Sequence, residues 1–105
     1  MRSGPDSSSL TATENKYLFK LFISGMSVNS INAIENLNEI CEKYLPGNFD
    51  LEIIDVYQQS ELAAEYQIIA TPTLIKFRPA PQKTILGDLS DLKKVLLLLG
   101  ISNNQ

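Results

Sequence analysis

The feature that most constrains the fold of this chain is Ala70-Thr71-Pro72-Thr73-Leu74, a Thr-Pro pair leading into an apolar segment. Only about 5–6% of X-Pro bonds in folded proteins are cis. A position behind a short helix and ahead of an antiparallel pair raises that figure, so Pro72 is the cis-proline candidate. The loop that would face it, after the first strand, reads Ser24-Gly25-Met26-Ser27-Val28-Asn29-Ser30 and holds no cysteine. A scaffold able to carry thiol chemistry at this corner would have lost it.

Hydrophobic periodicity supplies the elements around that motif. Tyr17 to Ile23 is aromatic and β-branched and apolar on both faces apart from Lys20, as a central strand covered by helices requires. Ser27 caps a helix from Val28 to about Leu45, with Ile31, Ile34, Leu37, Cys41, Tyr44 and Leu45 as its buried stripe. Pro46-Gly47 ends it. Phe49, Leu51 and Ile53 alternate with Asp50 and Glu52 in a half-buried strand, parallel to the first across a right-handed crossover. Ser60 caps a short helix to about Tyr66, Thr73 to Phe77 is a third strand, and Pro79-Ala80-Pro81 turns the chain into a return strand, Lys83 to Gly87. Asp88 or Ser90 caps a last helix with Leu89, Leu92, Val95, Leu96 and Leu99 inward. The order β-α-β-α-β-β-α, with a central mixed sheet and no CxxC, is that of a thioredoxin-like α/β fold.

Composition excludes more than it identifies. Nine basic against twelve acidic residues leave a net charge of −3, so the basic face of a nucleic-acid-binding domain is missing. No apolar run reaches the roughly 18 residues of a membrane span, and residues 1–14 offer no signal-peptide core; the expectation is a cytoplasmic chain without membrane contact. Residues 1–14 and 102–105 read as disordered ends around a single domain, 15–101. The absence of histidine removes the commonest general base near neutral pH and the commonest metal ligand. No enzyme activity, cofactor or metal site is expected.

The remaining candidates each have a bland reading. Cys41 lies on the apolar stripe, far from the helix N-terminus that activates thiols, and reads as core. Ser24 and Ser27 stand where some glutathione-using relatives place an activating hydroxyl, but a polar loop and an N-cap explain both. Asp88 reads as a cap rather than a ligand, and Pro79 and Pro81 as a rigid turn. Val95-Leu96-Leu97-Leu98-Leu99 has no helical period. Leu97 and Leu98 either mark an interface or form the apolar end of a helix, and the run also suits a buried strand.

Together these residues resemble the KaiB family of the bacterial Kai clock system. The resemblance rests on Leu21-Phe22-Ile23-Ser24-Gly25 with Asn29-Ser30, on Ile53-Ile54-Asp55-Val56, on Ala70 to Leu74, and on Gly87-Asp88-Leu89-Ser90 followed by Lys94-Val95-Leu96. It implies a non-enzymatic protein that docks on the hexameric KaiC-type ATPase, self-associates as a dimer or tetramer, and exchanges its C-terminal half between a thioredoxin-like and a ground-state arrangement. Pro79, Pro81, Gly87, Asp88, Leu97 and Leu98 are then the fold-exchange or interface candidates. Ser24, Gly25, Asn29 and Ser30 are the partner-binding loop candidates. Departures accompany the match. Asn32, Glu35, Glu52 and Gln67 stand where clock members tend to carry basic residues, and those members extend into a longer acidic tail. The role implied is circadian-type timing or, for a divergent member, stress adaptation. A thioredoxin-type redox or glutathione-dependent protein, and a self-associating stress protein without a KaiC partner, are the alternatives.

Overall fold

A computed structural model describes residues 16–101, so the expectations for residues 1–14 and 102–105 lie outside the described residues. The elements are β1 (Tyr17–Ile23), α1 (Val28–Tyr44), β2 (Phe49–Asp55), α2 (Ser60–Glu65), β3 (Thr73–Arg78), β4 (Lys83–Leu86) and α3 (Leu92–Leu99). Four strands form one mixed sheet in the order β2-β1-β3-β4, with β2 parallel to β1, β3 antiparallel to β1, and β4 antiparallel to β3. The C-terminal half therefore takes the thioredoxin-like arrangement, and the leucine run is helical.

The register sorts the side chains onto two unequal faces. Leu21 sits opposite both Ile53 and Leu74, and Leu74 opposite Ile85. Leu21, Leu74 and Ile85 of this line, with Phe19 and Ile23, pack beneath Leu37, Ile40 and Cys41 of α1 and Val95, Leu96 and Leu99 of α3. The other face carries Phe22, Ile54 and Ile75, covered by Leu62, Tyr66 and Ile68 from α2 and the segment after it. Beyond α2 that face is open, and there Lys20 pairs with Glu52 at 2.6 Å while Leu86 is exposed. Each fully buried Leu or Phe on the closed face contributes about 1.5–3 kcal/mol relative to exposure, so the covered face carries most of the stability.

Several local expectations are corrected. The buried side of α1 runs through Ser30, Ala33, Leu37, Ile40 and Cys41. Ile31, Ile34 and Tyr44 are only partly buried, because the small Ser30 and Ala33 occupy the tightest positions and shift the stripe round the helix. In β2, Ile54 rather than Ile53 is fully buried: α2 covers the face that Ile54 points to, while Ile53 points to the other face of this edge strand and stays exposed. Ser60 is the first residue of α2, and its N-cap position is Gln59, which makes no side-chain capping bond. The cap of α3 is Asp91, whose carboxylate accepts from the Lys94 N–H at 3.3 Å. Asp88 and Ser90 are unavailable for that role. The Asp88 carboxylate holds the Ser90 N–H at 3.1 Å, its carbonyl takes Asn36 Nδ2 at 2.8 Å, and buried Leu89 adopts φ +65° between them. β4 ends at Leu86, one residue before Gly87, whose φ of +107° breaks the strand.

Candidate functional site

The C-terminal ends of β1 and β2 open onto three loops that meet at one end of the molecule. After β1, Gly25 takes φ +58°, a conformation that suits a residue without Cβ, and turns the chain into α1. Ser27 caps that helix, accepting from the Ser30 N–H at 3.3 Å. Ser30 is fully buried, and its Oγ accepts from the Ser24 N–H at 3.2 Å and from the Ser27 hydroxyl at 2.8 Å. Ser30 therefore shapes the loop from within, whereas Asn29 faces solvent.

The second loop follows α2. The helix closes with Gln67 at φ +58°, its N–H on the Ala64 carbonyl and the Ile68 N–H on that of Ala63, which is a Schellman ending built without glycine. The chain then reaches a cis Thr71–Pro72 peptide with Pro72 buried. The Thr71 hydroxyl is hydrogen-bonded to the Ser24 hydroxyl, and the Thr73 hydroxyl donates to the Ala70 carbonyl at 2.6 Å. Gly87 joins from β4, its N–H on the Pro72 carbonyl at 3.0 Å. The Thr71 backbone N–H and carbonyl have no hydrogen-bond partner among the described residues.

Ser24, Tyr57, Ile69 and Thr71 line a shallow hollow of about 210 Å³ between these loops. Around it large apolar side chains stand in solvent: Ile69 is 92% exposed, Tyr57 77%, and Met26 and Val28 73% each. Among the described residues the hydroxyls of Ser24 and Thr71 bond to each other and to no carboxylate or amine. Cys41 lies elsewhere, fully buried on α1, and burial, with Glu42 adding to it, pushes its thiol up to about 12. The hollow thus has shape and apolar area but no nucleophile poised for reaction, which suits docking of a protein surface.

The structure brings Ser24, Gly25, Asn29, Ser30, Pro72 and Gly87 to this end. Pro79 and Pro81 follow Arg78, which pairs with Leu18 at the opposite end of the sheet; both of their peptide bonds are cis. Asp88 sits against α1. Leu97 is 80% exposed on α3, while Leu98 packs partly against the core. Sequence reasoning did not find Met26, Tyr57 or Ile69. The signal was present in a methionine within a polar loop, a tyrosine just past a strand, and a second isoleucine beside the Thr-Pro motif. It also missed Lys76, which is 3% exposed in the closed face, its Nζ 3.5 Å from the Leu99 carbonyl and 5.9 Å from the Tyr17 ring centroid. Burial, then the nearby Lys83, lowers its pKa.

Comparison with known proteins places this geometry in a family. The profile of the KaiB domain matches residues 20–101. A circadian clock oscillator protein KaiB of Prochlorococcus marinus is 44% identical over 90 residues, covering 86% of each chain. A circadian clock protein KaiB3 of Synechocystis is 46% identical over 87 residues, covering 83% of this chain and 85% of that one. Among solved structures, the Drosophila melanogaster thioredoxin Deadhead superposes with a TM-score of 0.67 at 18% identity, over 95% of this chain and 97% of that one. The N-terminal domain of Synechococcus elongatus SasA gives 0.66 at 23% identity, over 82% and 85%. The structural likenesses establish the thioredoxin-like fold. Among the described residues no helix is long and apolar enough to cross a membrane.

Proposed function

The chain belongs to the KaiB family of circadian clock proteins, and from that premise we propose that it is a non-enzymatic regulator that docks on a KaiC-type ATPase ring through its cis-proline end. The observation that carries this reading is the ring of exposed apolar side chains, Met26, Val28, Tyr57 and Ile69, about a hollow without a thiol. A tyrosine such as Tyr57 is the kind of side chain that dominates binding energy when buried at an interface centre, and apolar neighbours around it exclude water there. Extended backbone from a partner can also pair with the free N–H and carbonyl of Thr71. The biological role is circadian-type timing or stress adaptation.

Immobilising the KaiC-type ATPase of the same cell and titrating this protein tests the proposal. Tyr57→Ala with Ile69→Ala should weaken binding by about tenfold or more while leaving the far-ultraviolet spectrum unchanged. Unaltered binding by that folded double variant would remove the cis-proline end as the docking face. Self-association as a dimer or tetramer is a second element of the proposal, supported by Leu97, whose side chain no core residue covers.

A further inference from the structure

We propose that the element which docks on the cis-proline end is basic: a partner surface in which apolar side chains are flanked by Lys or Arg. This rests on the docking face proposed above and adds the chemistry of what it receives. The chain holds no Lys or Arg between Lys20 and Lys43 or between Lys43 and Lys76, the two spans that build the loops of the face after β1, β2 and α2. Carboxylates are plentiful in the second span. Asp50 and Glu52 are already paired, with Lys16 at 3.5 Å and Lys20 at 2.6 Å. Glu61 and Glu65 are different: both are exposed on α2, one turn apart, with no ion-pair partner among the described residues. They line a polar depression that includes Gln58 and Gln59, the residues that follow Tyr57 in the chain.

The basic residues lie elsewhere. Lys76, Arg78 and Lys83 cluster at the far end of the sheet, near the start of β1. Lys43 ends α1, and Lys93 and Lys94 begin α3, across the sheet from α2. The apolar ring thus carries an acidic rim on its α2 side, and no lysine or arginine stands among the exposed residues that form it. Complementary charge steers encounter and rejects wrong partners more than it adds affinity, and rim charges act chiefly on the association rate. An acidic partner surface would meet like charge at Glu61 and Glu65. A basic one would meet two carboxylates not already neutralised.

The test is the association rate constant with the KaiC-type ring of the same cell for wild type, Glu61→Gln/Glu65→Gln and Glu61→Lys/Glu65→Lys, at low salt and near 1 M NaCl. Both variants retain good helix formers at exposed positions. Neutralisation should slow association several-fold at low salt and reversal by about tenfold. The differences should collapse at about 1 M salt, where the Debye length is only about 3 Å. Faster association on reversal would show an acidic partner and overturn the inference, as would rates identical at both salt concentrations. Either result would leave the docking face standing if Tyr57→Ala with Ile69→Ala weakens binding by about tenfold or more. Failure of the wild-type chain to bind the ring would overturn both.

Discussion

Replacing Ser30 with alanine tests how the β1–α1 loop is held. Its Oγ is fully buried and is the acceptor for the Ser24 N–H at 3.2 Å and the Ser27 hydroxyl at 2.8 Å. In Ser30→Ala the Ser24 N–H is left without an acceptor in a partly buried position, which costs about 1–3 kcal/mol. The Ser27 hydroxyl is exposed and turns to water, so it adds little. Alanine returns about 0.5 kcal/mol of helix propensity. The net loss is about 0.5–2.5 kcal/mol, and a domain of this size loses about 4–8 °C in Tm per kcal/mol. Ser27→Ala removes an exposed N-cap whose bond to the Ser30 N–H is long, 3.3 Å, and should cost less, about 0.5 kcal/mol. Urea unfolding with an unchanged m-value measures both. A Ser30→Ala protein within about 0.3 kcal/mol of wild type, or a larger loss from Ser27→Ala, would refute the reasoning.

Three further expectations concern the core and α3. Cys41 has a folded-state pKa raised to about 12 by burial and then by Glu42, so its contribution is complete below the thiol's ordinary value and falls as pH climbs toward 12. Cys41→Ala should lose about 1 kcal/mol at neutral pH yet flatten part of the alkaline decline in the urea midpoint; an unchanged slope would contradict this. Tyr17, also raised by burial, contributes to the same decline and remains in the variant. Lys76 is shifted the other way, so its burial weighs against folding at neutral pH and is relieved as pH rises through its lowered pKa toward the ordinary lysine value. Lys76→Met, which keeps the stem, should be within about 1 kcal/mol of wild type or more stable; a loss above about 2 kcal/mol would show that the contacts to the Leu99 carbonyl and the Tyr17 ring outweigh desolvation. Leu97→Gln should shift stability by no more than about 0.5 kcal/mol and reduce self-association in sedimentation velocity; an unchanged oligomer distribution would exclude α3 as the interface.

The architecture was legible because each long element carries a clean period and firm punctuation. Tyr17–Ile23 could only be a central strand, Pro46-Gly47 could only end a helix, and the Ala70–Leu74 block located the loop opposite the first strand. The errors arose where tertiary contacts decide. Small residues drew α1 closer to the sheet and moved its buried stripe. Asp88 reads as a helix cap, but its carboxylate and carbonyl are occupied by Ser90 and Asn36, and the helix is capped later, at Asp91. At the candidate site the polar loop was visible in sequence, yet Ser30 points inward and supports the loop. The exposed apolar ring comes from three segments far apart in the chain, a juxtaposition no local pattern encodes. Lys76 escaped notice because a lysine in a strand reads as the exposed member of an alternation. Only the packing of Phe19, its cross-strand neighbour, beneath α1 and α3 shows that this face is closed.

Backbone NMR of the isotope-labelled chain, titrated with the KaiC-type ATPase of the same cell, asks most directly where the protein docks. Signals of Ser24 to Asn29, Tyr57 to Gln59 and Ile69 to Thr71 should shift or broaden together, with those of Glu61 and Glu65 at the margin. Perturbation centred on Arg78 to Lys83 and Lys43 at the opposite end, with the cis-proline loops unmoved, would contradict a docking face at Thr71–Pro72.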